Sequence, residues 1–285
     1  MEPVVTVGLD GSPESLAAAR WAAVEAARRG LGLRLLHAWV LLAAAADVES
    51  VRDQNYWARR IVHDAHQELR RRWPDLAIEE ELVQEDAAAA VLRAASDSEL
   101  TVLGSRGLEP LESFFLGDTG MYIVARAERP VVLVRAGTPD RERPVADGGE
   151  VVAGVGLSGS CDELLEFAFA AAAARDVPLR AVHGRALPVQ AYVPWGVDPD
   201  VSKELADEAQ QELDQALRPW RERFADVRVI DDVRLESAAK AVVRAAADAA
   251  LLVVGRRRHR VSRLGPVAHA AVHHVACPVA VVPHS

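Results

Sequence analysis

The hydrophobic pattern of the chain alternates between two periods. Short β-branched runs, such as those opening at Val4 and Val131, are separated by alanine-rich stretches whose apolar positions recur at helical spacing. That alternation specifies parallel strands joined by crossover helices. In the first half it predicts strands at Val4 to Leu9, Leu33 to Trp39, Ile78 to Val83, Thr101 to Leu103 and Val131 to Val134. Helices are expected near Pro13 to Arg29, Val51 to Arg72, Asp86 to Ser98 and Thr119 to Ala127. The expected fold class is α/β: a doubly wound, mostly parallel, five-stranded open sheet with helices on both faces.

The pattern then repeats. The stretch from Val4 has a counterpart from Val151, "LTVLGSRG" at Leu100 matches "LLVVGRRR" at Leu251, and the run closing at Val134 matches the run closing at Val282. Gly8 and Gly156, like Pro130 and Pro278, are 148 positions apart. A period of that length marks a tandem duplication of whole domains. Second-half strands are expected near Val151 to Val155, Leu179 to His183, Val227 to Val233, Leu251 to Val254 and Val279 to Val282. Between the halves, "RAGTPDRERPVADGGE" is rich in proline, glycine and charge and lacks apolar periodicity, as a linker does. The expected organisation is a first domain over 1–138, a linker over 139–149 and a second domain over 150–285.

Composition narrows the function. The 285 residues suffice for two domains of average size. The longest apolar runs, such as Ala38 to Ala46, fall well short of the roughly 18–20 residues that cross a bilayer. The opening residues carry no basic region or apolar signal core, which points to the cytosol. A formal charge of −9 weighs against a general affinity for nucleic acid, which needs a cationic footprint. The two cysteines, Cys161 and Cys277, form neither a CxxC pair nor a metal-ligand spacing and read as small apolar residues.

The candidate chemistry lies in "VLGSRGLEPLESFFLGDTG", which follows the fourth strand. Gly104, Gly107 and Gly117 have the spacing Gly-x2-Gly-x9-Gly between a strand and a helix. Glycines there permit close backbone approach, and the following helix offers free N–H groups to an anion. Ligands of doubly wound sheets bind outside the carboxyl ends of the strands, where the strand order reverses. Asp10, after the first strand, opens onto the same edge.

With "VGLDGSPES" at Val7, this glycine spacing, the closing "PVVLV" and the echo of each in the second half, the chain resembles the universal stress protein family in its tandem two-domain form. The resemblance covers nearly the whole chain and implies a Rossmann-like sheet of the adenine nucleotide alpha hydrolase type. It implies ATP as ligand, with Asp10 toward the adenosine and phosphate side and Val40 and Val83 near adenine and ribose. It further implies Leu103 as the apolar residue before the first glycine, with Gly104, Gly107 and Gly117 around ribose and phosphates. It also implies that the two closing strands meet across a pseudo-two-fold, an intramolecular dimer-like unit, with a homodimer of chains as a further step.

The departure is Asp118, where the family has Ser or Thr directly after the third glycine. A carboxylate about 4 Å from a phosphate oxygen costs on the order of 1–4 kcal/mol, or roughly tenfold to several hundredfold in affinity. A bridging Mg²⁺ turns Asp118 into a ligand. Alternatively Asp118 is the N-cap of the next helix and Thr119 reaches the phosphate, the preferred reading because Asp is a favoured cap. In the second half Arg258 replaces the second glycine, the intervening loop is shorter, Pro266 follows Gly265, and Ser158 stands for Asp10. That site is expected to be degenerate, with a role in stability or partner contact.

Other signals are weaker. "GRRRHR" at 255–260 reads as a phosphate clamp or as a solvated loop. "SGSCD" from Ser158 faintly matches the pyrophosphate loop of ATP pyrophosphatases. His63 and His66, and His269, His273 and His274, lack partners at ligand spacing and read as packed or solvated. Trp21, Trp39 and Trp57 read as core and interface packing. No nucleophile elbow is present, and no general base is evident, so no enzymatic turnover is expected. The reading is a cytosolic stress-response protein whose first domain binds ATP, with Mg²⁺ as a possible companion, as a sensor or regulator with an unidentified protein partner. The alternatives are an interaction scaffold with relic glycine loops and a pyrophosphatase-like enzyme.

Overall fold

A computed structural model describes residues 3–40, 48–107, 114–115, 118–136, 149–188, 191–193, 196–258 and 264–285. The chain divides into two units, Met1–Arg143 and Pro144–Ser285. The linker expected at 139–149 lies almost wholly outside the described residues.

The first unit runs β1 (Val4–Gly8), α1 (Pro13–Arg29), β2 (Gly32–Ala38), α2 (Val48–Arg72), β3 (Ile78–Val83), α3 (Ala87–Ser96), β4 (Leu100–Gly107), β5 (Phe114–Phe115), α4 (Asp118–Arg126) and β6 (Val131–Arg135). Its parallel sheet has the order β3-β2-β1-β4-β6, so the order reverses between β1 and β4. Helix α1 packs against α2, and α3 against α4.

Local chemistry sets these bounds. Ser12 caps α1 by accepting from Ser15 N–H at 3.1 Å, and Pro13 supplies the first helical φ. Gly30, at φ 65°, ends the helix in the left-handed region. Ala18, Ala19, Ala22, Ala23 and Ala26 form its fully buried stripe, which lets the helix lie close to the sheet. On the strands, Val5, Val7, Leu33, Leu35 and Val102 are buried on one face and Thr6, Leu36, Thr101 and Leu103 on the other, as a sheet covered on both faces requires. The one polar residue inside β1, Thr6, bonds the hydroxyl of Ser98 at 2.6 Å.

One strand is longer than its apolar run. The sequence ends the fourth strand at Leu103, but the ladder with β6 continues through Ser105, paired with Arg135. Gly107 then pairs antiparallel with Phe114. Gly104 and Gly107 therefore lie on extended backbone, and not in a loop.

The second unit repeats the plan: β7 (Val151–Gly154), α5 (Asp162–Ala173), β8 (Leu179–Gly184), β9 (Tyr192–Val193), β10 (Gly196–Val197), α6 (Pro199–Arg223), β11 (Val229–Arg234), α7 (Ala238–Ala245), β12 (Leu251–Arg257), α8 (Pro266–His274) and β13 (Val279–His284). Its parallel sheet has the order β11-β8-β7-β12-β13. The small β9–β10 ladder is an addition the pattern did not predict. Here too β12 and β13 outrun their apolar cores, pairing as far as Arg257 with His284. Among the described residues no helix is long and apolar enough to cross a membrane.

Candidate functional site

The carboxyl edge of the first sheet is fastened before any side chain reaches out from it. Leu9 N–H donates to Leu36 O at 2.8 Å, and the Leu9 carbonyl accepts from Nδ1 of buried His37 at 2.7 Å. The chain then turns through Asp10, whose Oδ1 accepts from the Ser12 N–H at 2.9 Å and the Ser12 hydroxyl at 2.5 Å. Gly11, at φ 81°, makes that turn possible. A Cβ there would sit 3.1 Å from Ile61 Cδ1, so α2 closes over the loop. Asp10 is thus held exposed at the switch point by its own helix cap.

The residues named from sequence take their places across this edge in the order Val83, Val40, Asp10, Gly104, one per neighbouring strand end. At about 4.8 Å per strand the row spans roughly 14 Å. Val83 is half-buried, and its carbonyl accepts from Trp39 N–H at 3.0 Å. Val40 is 51% exposed. Leu103 is different: it is buried, with Cδ2 2.9 Å from where a Cβ on Gly8 would be, and packs over β1. Thr119 is exposed in the first turn of α4.

Three expectations change. Gly104 does not face open space: a Cβ there would meet the backbone of α1, 2.6 Å from Glu14 C and 2.7 Å from Ser15 N. Helix packing demands that glycine, with or without a ligand. Asp118 is the first residue of α4 and not the cap before it. Gly117 and the Asp118 side chain lie outside the described residues. Trp57 is 59% exposed and so is not core packing; buried Trp21 is.

Trp57 belongs to a set the sequence reading missed. Among the described residues the exposed large hydrophobic side chains are Val40, Tyr56, Trp57 and Tyr122. All belong to the first unit, on segments that begin at its carboxyl edge. Tyr56 and Trp57 meet edge to face with ring centres 5.8 Å apart, and the Arg60 guanidinium lies 5.4 Å from the Trp57 ring centre. Trp57 stands one helical turn before Ile61, the residue that covers Gly11. The signal was available: Ala58, Val62, Ala65 and Leu69 form the buried stripe of α2, and Trp57 lies off it.

The second unit repeats the fastening. His183 Nδ1 donates to Val155 O at 2.9 Å, the counterpart of His37 on Leu9. Beyond that the edge diverges. Ser158 takes the place of Asp10, and Arg257 Nη2 donates to its carbonyl at 3.0 Å and its hydroxyl at 2.9 Å. Position 255 keeps its glycine for another reason, because a Cβ would meet His284 Nε2 at 2.6 Å. Of the basic run, 255–257 is strand, Arg256 is buried and Arg257 exposed. Burial, and after it the charge of Arg258, pushes the Arg256 pKa down, yet a guanidinium stays protonated. Burial pushes the Cys161 thiol up to about 11, with Asp162 and Glu163 adding to it, which makes it inert. The edge expected to be degenerate encloses a cavity of about 390 Å³, lined in part by Ser158, Ser160, Arg256, Arg257 and His284.

Comparison with known proteins gives a consistent result. The model of the Universal stress protein family matches residues 3–135 and again 149–283. A universal stress protein of Mycobacterium tuberculosis strain H37Rv is 31% identical over 99% of this chain and 97% of its own length. The crystal structure of a universal stress protein from Archaeoglobus fulgidus superposes with a TM-score of 0.72 at 15% identity, covering 99% of this chain and 98% of that one. A putative universal stress protein from Pseudomonas aeruginosa gives 0.62 at 15% identity, covering 99% and 93%.

Proposed function

Because the chain belongs to the universal stress protein family, we propose that its first unit binds an adenine nucleotide, with ATP as the physiological ligand, as a sensor whose output is the bound state and not a turnover. The observation that carries this reading is the exposed apolar set beside a fixed carboxylate. Val40 follows β2 at the edge where Asp10 follows β1, and Trp57 lies one helical turn before Ile61, which covers Gly11 of the Asp10 turn. A purine has two apolar faces and a ribose with two hydroxyl donors, and this edge offers a partner to each. Stacking of a base on an aromatic side chain contributes about 1–3 kcal/mol. Asp10 accepts from the ribose, and the row from Val83 to Gly104 matches the length of a nucleoside carrying phosphate.

The phosphate end is the weaker one. Asp118 is the first residue of α4, so a negatively charged residue type stands in the turn whose N–H groups an anion would use. A negative residue there favours the ligand-free helix through the dipole and opposes a phosphate. Mg²⁺ would bridge the two charges, so ATP should bind more tightly with the metal than without it.

The test is calorimetric titration of the full chain with ATP, with and without Mg²⁺, on the native protein, Trp57→Leu and Asp118→Ser. We expect one saturable site in the first unit. Trp57→Leu should weaken it roughly five- to hundredfold. Asp118→Ser should strengthen Mg²⁺-free binding by roughly tenfold or more. Absence of heat at millimolar ATP sinks the reading and leaves the exposed aromatic set to a protein partner, the scaffold alternative.

A further inference from the structure

We propose that His269 and His273, one turn apart on α8, chelate a divalent transition-metal ion, Cu²⁺ or Ni²⁺, on the flank of the second unit. Neither residue lines the cavity at the carboxyl edge, and the site does not depend on nucleotide binding in the first unit.

From sequence these histidines read as packed or solvated; the fold brings two of the rings together. Helix α8 runs Pro266–His274, and His269 N–H already donates to Gly265 O at 2.9 Å, so positions 269 and 273 share one face of regular helix. Their ring centres lie 4.4 Å apart with planes tilted by 47°, so the rings adjoin without stacking flat. Ala268, Ala271 and Val272, each no more than 1% exposed, anchor the core side of the same turns and fix the two Cβ positions. His269 is exposed and His273 half-buried, so the pair is reached from solvent. This is the spacing at which one helix face offers two imidazoles to a metal.

The ring separation also selects the ion. An imidazole bound through nitrogen at about 2.0–2.1 Å holds the metal about 3.2 Å from its ring centre. Two such rings have centres about 4.5 Å apart at a right angle and about 5.2 Å apart at the tetrahedral angle. The observed 4.4 Å fits the right angle, which belongs to tetragonal Cu²⁺ and Ni²⁺ sites and not to tetrahedral zinc. The affinity order of nitrogen ligands also puts Cu²⁺ first.

Among the described residues no third histidine, cysteine, aspartate or glutamate joins the pair in a metal-binding group. Water completes the coordination. The intervening Ala270, Ala271 and Val272 supply no carboxylate to act as a base, so the site binds and does not hydrolyse. Each ring gives the ion one nitrogen, and metal-bound histidines give the other to a hydrogen-bond partner. A neighbour bonded to either ring therefore orients it and does not compete.

The fold itself does not demand the pair. At 148 positions back, α4 of the first unit carries Met121 and Ala125, with Ala125 buried. An alanine meets the packing requirement that His273 meets in the second unit.

The experiment is calorimetric titration of the untagged full chain with Cu²⁺, Ni²⁺ and Zn²⁺ in a weakly coordinating buffer at about pH 7.5, where an ordinary imidazole is neutral, with electron paramagnetic resonance of the Cu²⁺ sample. One ion per chain is expected, bound in the order Cu²⁺, Ni²⁺, Zn²⁺, with the hyperfine pattern of two nitrogen ligands. His269→Gln and His273→Ala should each weaken it roughly a hundredfold, because the second imidazole no longer adds to the first. A thermal melt checks that both variants fold. His274→Ala, next to the pair, and His66→Ala, which removes the partner of Glu80 in the first unit, should leave the site unchanged. The proposal is overturned by no saturable Cu²⁺ binding at tens of micromolar, by undiminished affinity in His269→Gln or His273→Ala, by Zn²⁺ binding more tightly than Ni²⁺, or by one ion per two chains, which would place the ligands on two copies.

Discussion

Gly104→Ala separates architecture from ligand binding. The added methyl would sit 2.6 Å from Glu14 C, 2.7 Å from Ser15 N and 2.8 Å from Glu14 O, where ordinary contact begins at 3.4 Å. The first turn of α1 would have to withdraw by about 0.8 Å, and all three obstacles are backbone atoms. That turn is pinned by the Ser12 cap, and the helix behind it is anchored by buried Ala18, Ala19 and Trp21. Overpacking of a close-packed core costs about 1–3 kcal/mol, and a rigid obstacle puts this site near about 3. At roughly 2–4 °C per kcal/mol, the melting transition of the ligand-free first unit should fall by roughly 6–12 °C. The matching substitution, Gly255→Ala, meets His284 and Leu164 side-chain ends, which can swing aside; it should cost about 1 kcal/mol. Gly156→Ala, with nothing within 4 Å, is the reference. Scanning calorimetry without nucleotide makes the comparison. A Gly104→Ala protein that melts like the native one, or no lower than Gly255→Ala, would refute the packing account and return this glycine to the ligand.

Two further outcomes follow from buried groups. His37→Leu removes the donor to the Leu9 carbonyl and should cost about 1–3 kcal/mol in urea unfolding, together with a loss of nucleotide affinity because Asp10 follows Leu9; a variant as stable as the native protein contradicts the pinning role. Cys161, with its pKa at about 11 against an ordinary 9.0, has a roughly hundredfold smaller thiolate population when folded, so iodoacetamide at pH 8 should modify it correspondingly more slowly than in urea. The sign also fixes a pH trend: the unfolded thiol loses its proton first, so this group removes stability as pH rises from 9 through 11 and has no effect below. Equal alkylation rates in the folded and unfolded chain would refute the burial argument.

What the sequence made legible follows from the range of the interactions involved. The bounds of α1 coincide with expectation because Ser12, Pro13 and Gly30 are local signals. β3 coincides because its run is bounded on both sides. β4 was cut short because Gly104, Ser105 and Gly107 lack strand propensity; ladder pairing with Leu133 to Arg135 overrides it. At the site, Asp10 was named from its place directly after the first strand, while its partners were not. The pair Arg257 and Ser158 is 99 residues apart in sequence, and no local pattern announces it. The histidines on the second strand of each unit were visible as a repeated letter. Their role appears only when both rings are seen to hold the carbonyl that ends the first strand.

Counting retained glycines ranks the two edges by the wrong property. Gly104 and Gly255 are both kept, each by a packing neighbour that has nothing to do with an anion. What decides phosphate affinity is charge at the switch point. There the first unit carries Asp10 and begins α4 with Asp118, whereas the second carries Ser158, Arg256 and Arg257 and begins α8 with Pro266. What decides base affinity is exposed apolar surface, and among the described residues that belongs to the first unit alone. The two copies therefore share the first glycine for packing, and differ in the exposed apolar surface on which a purine could stack, which among the described residues lies in the first unit.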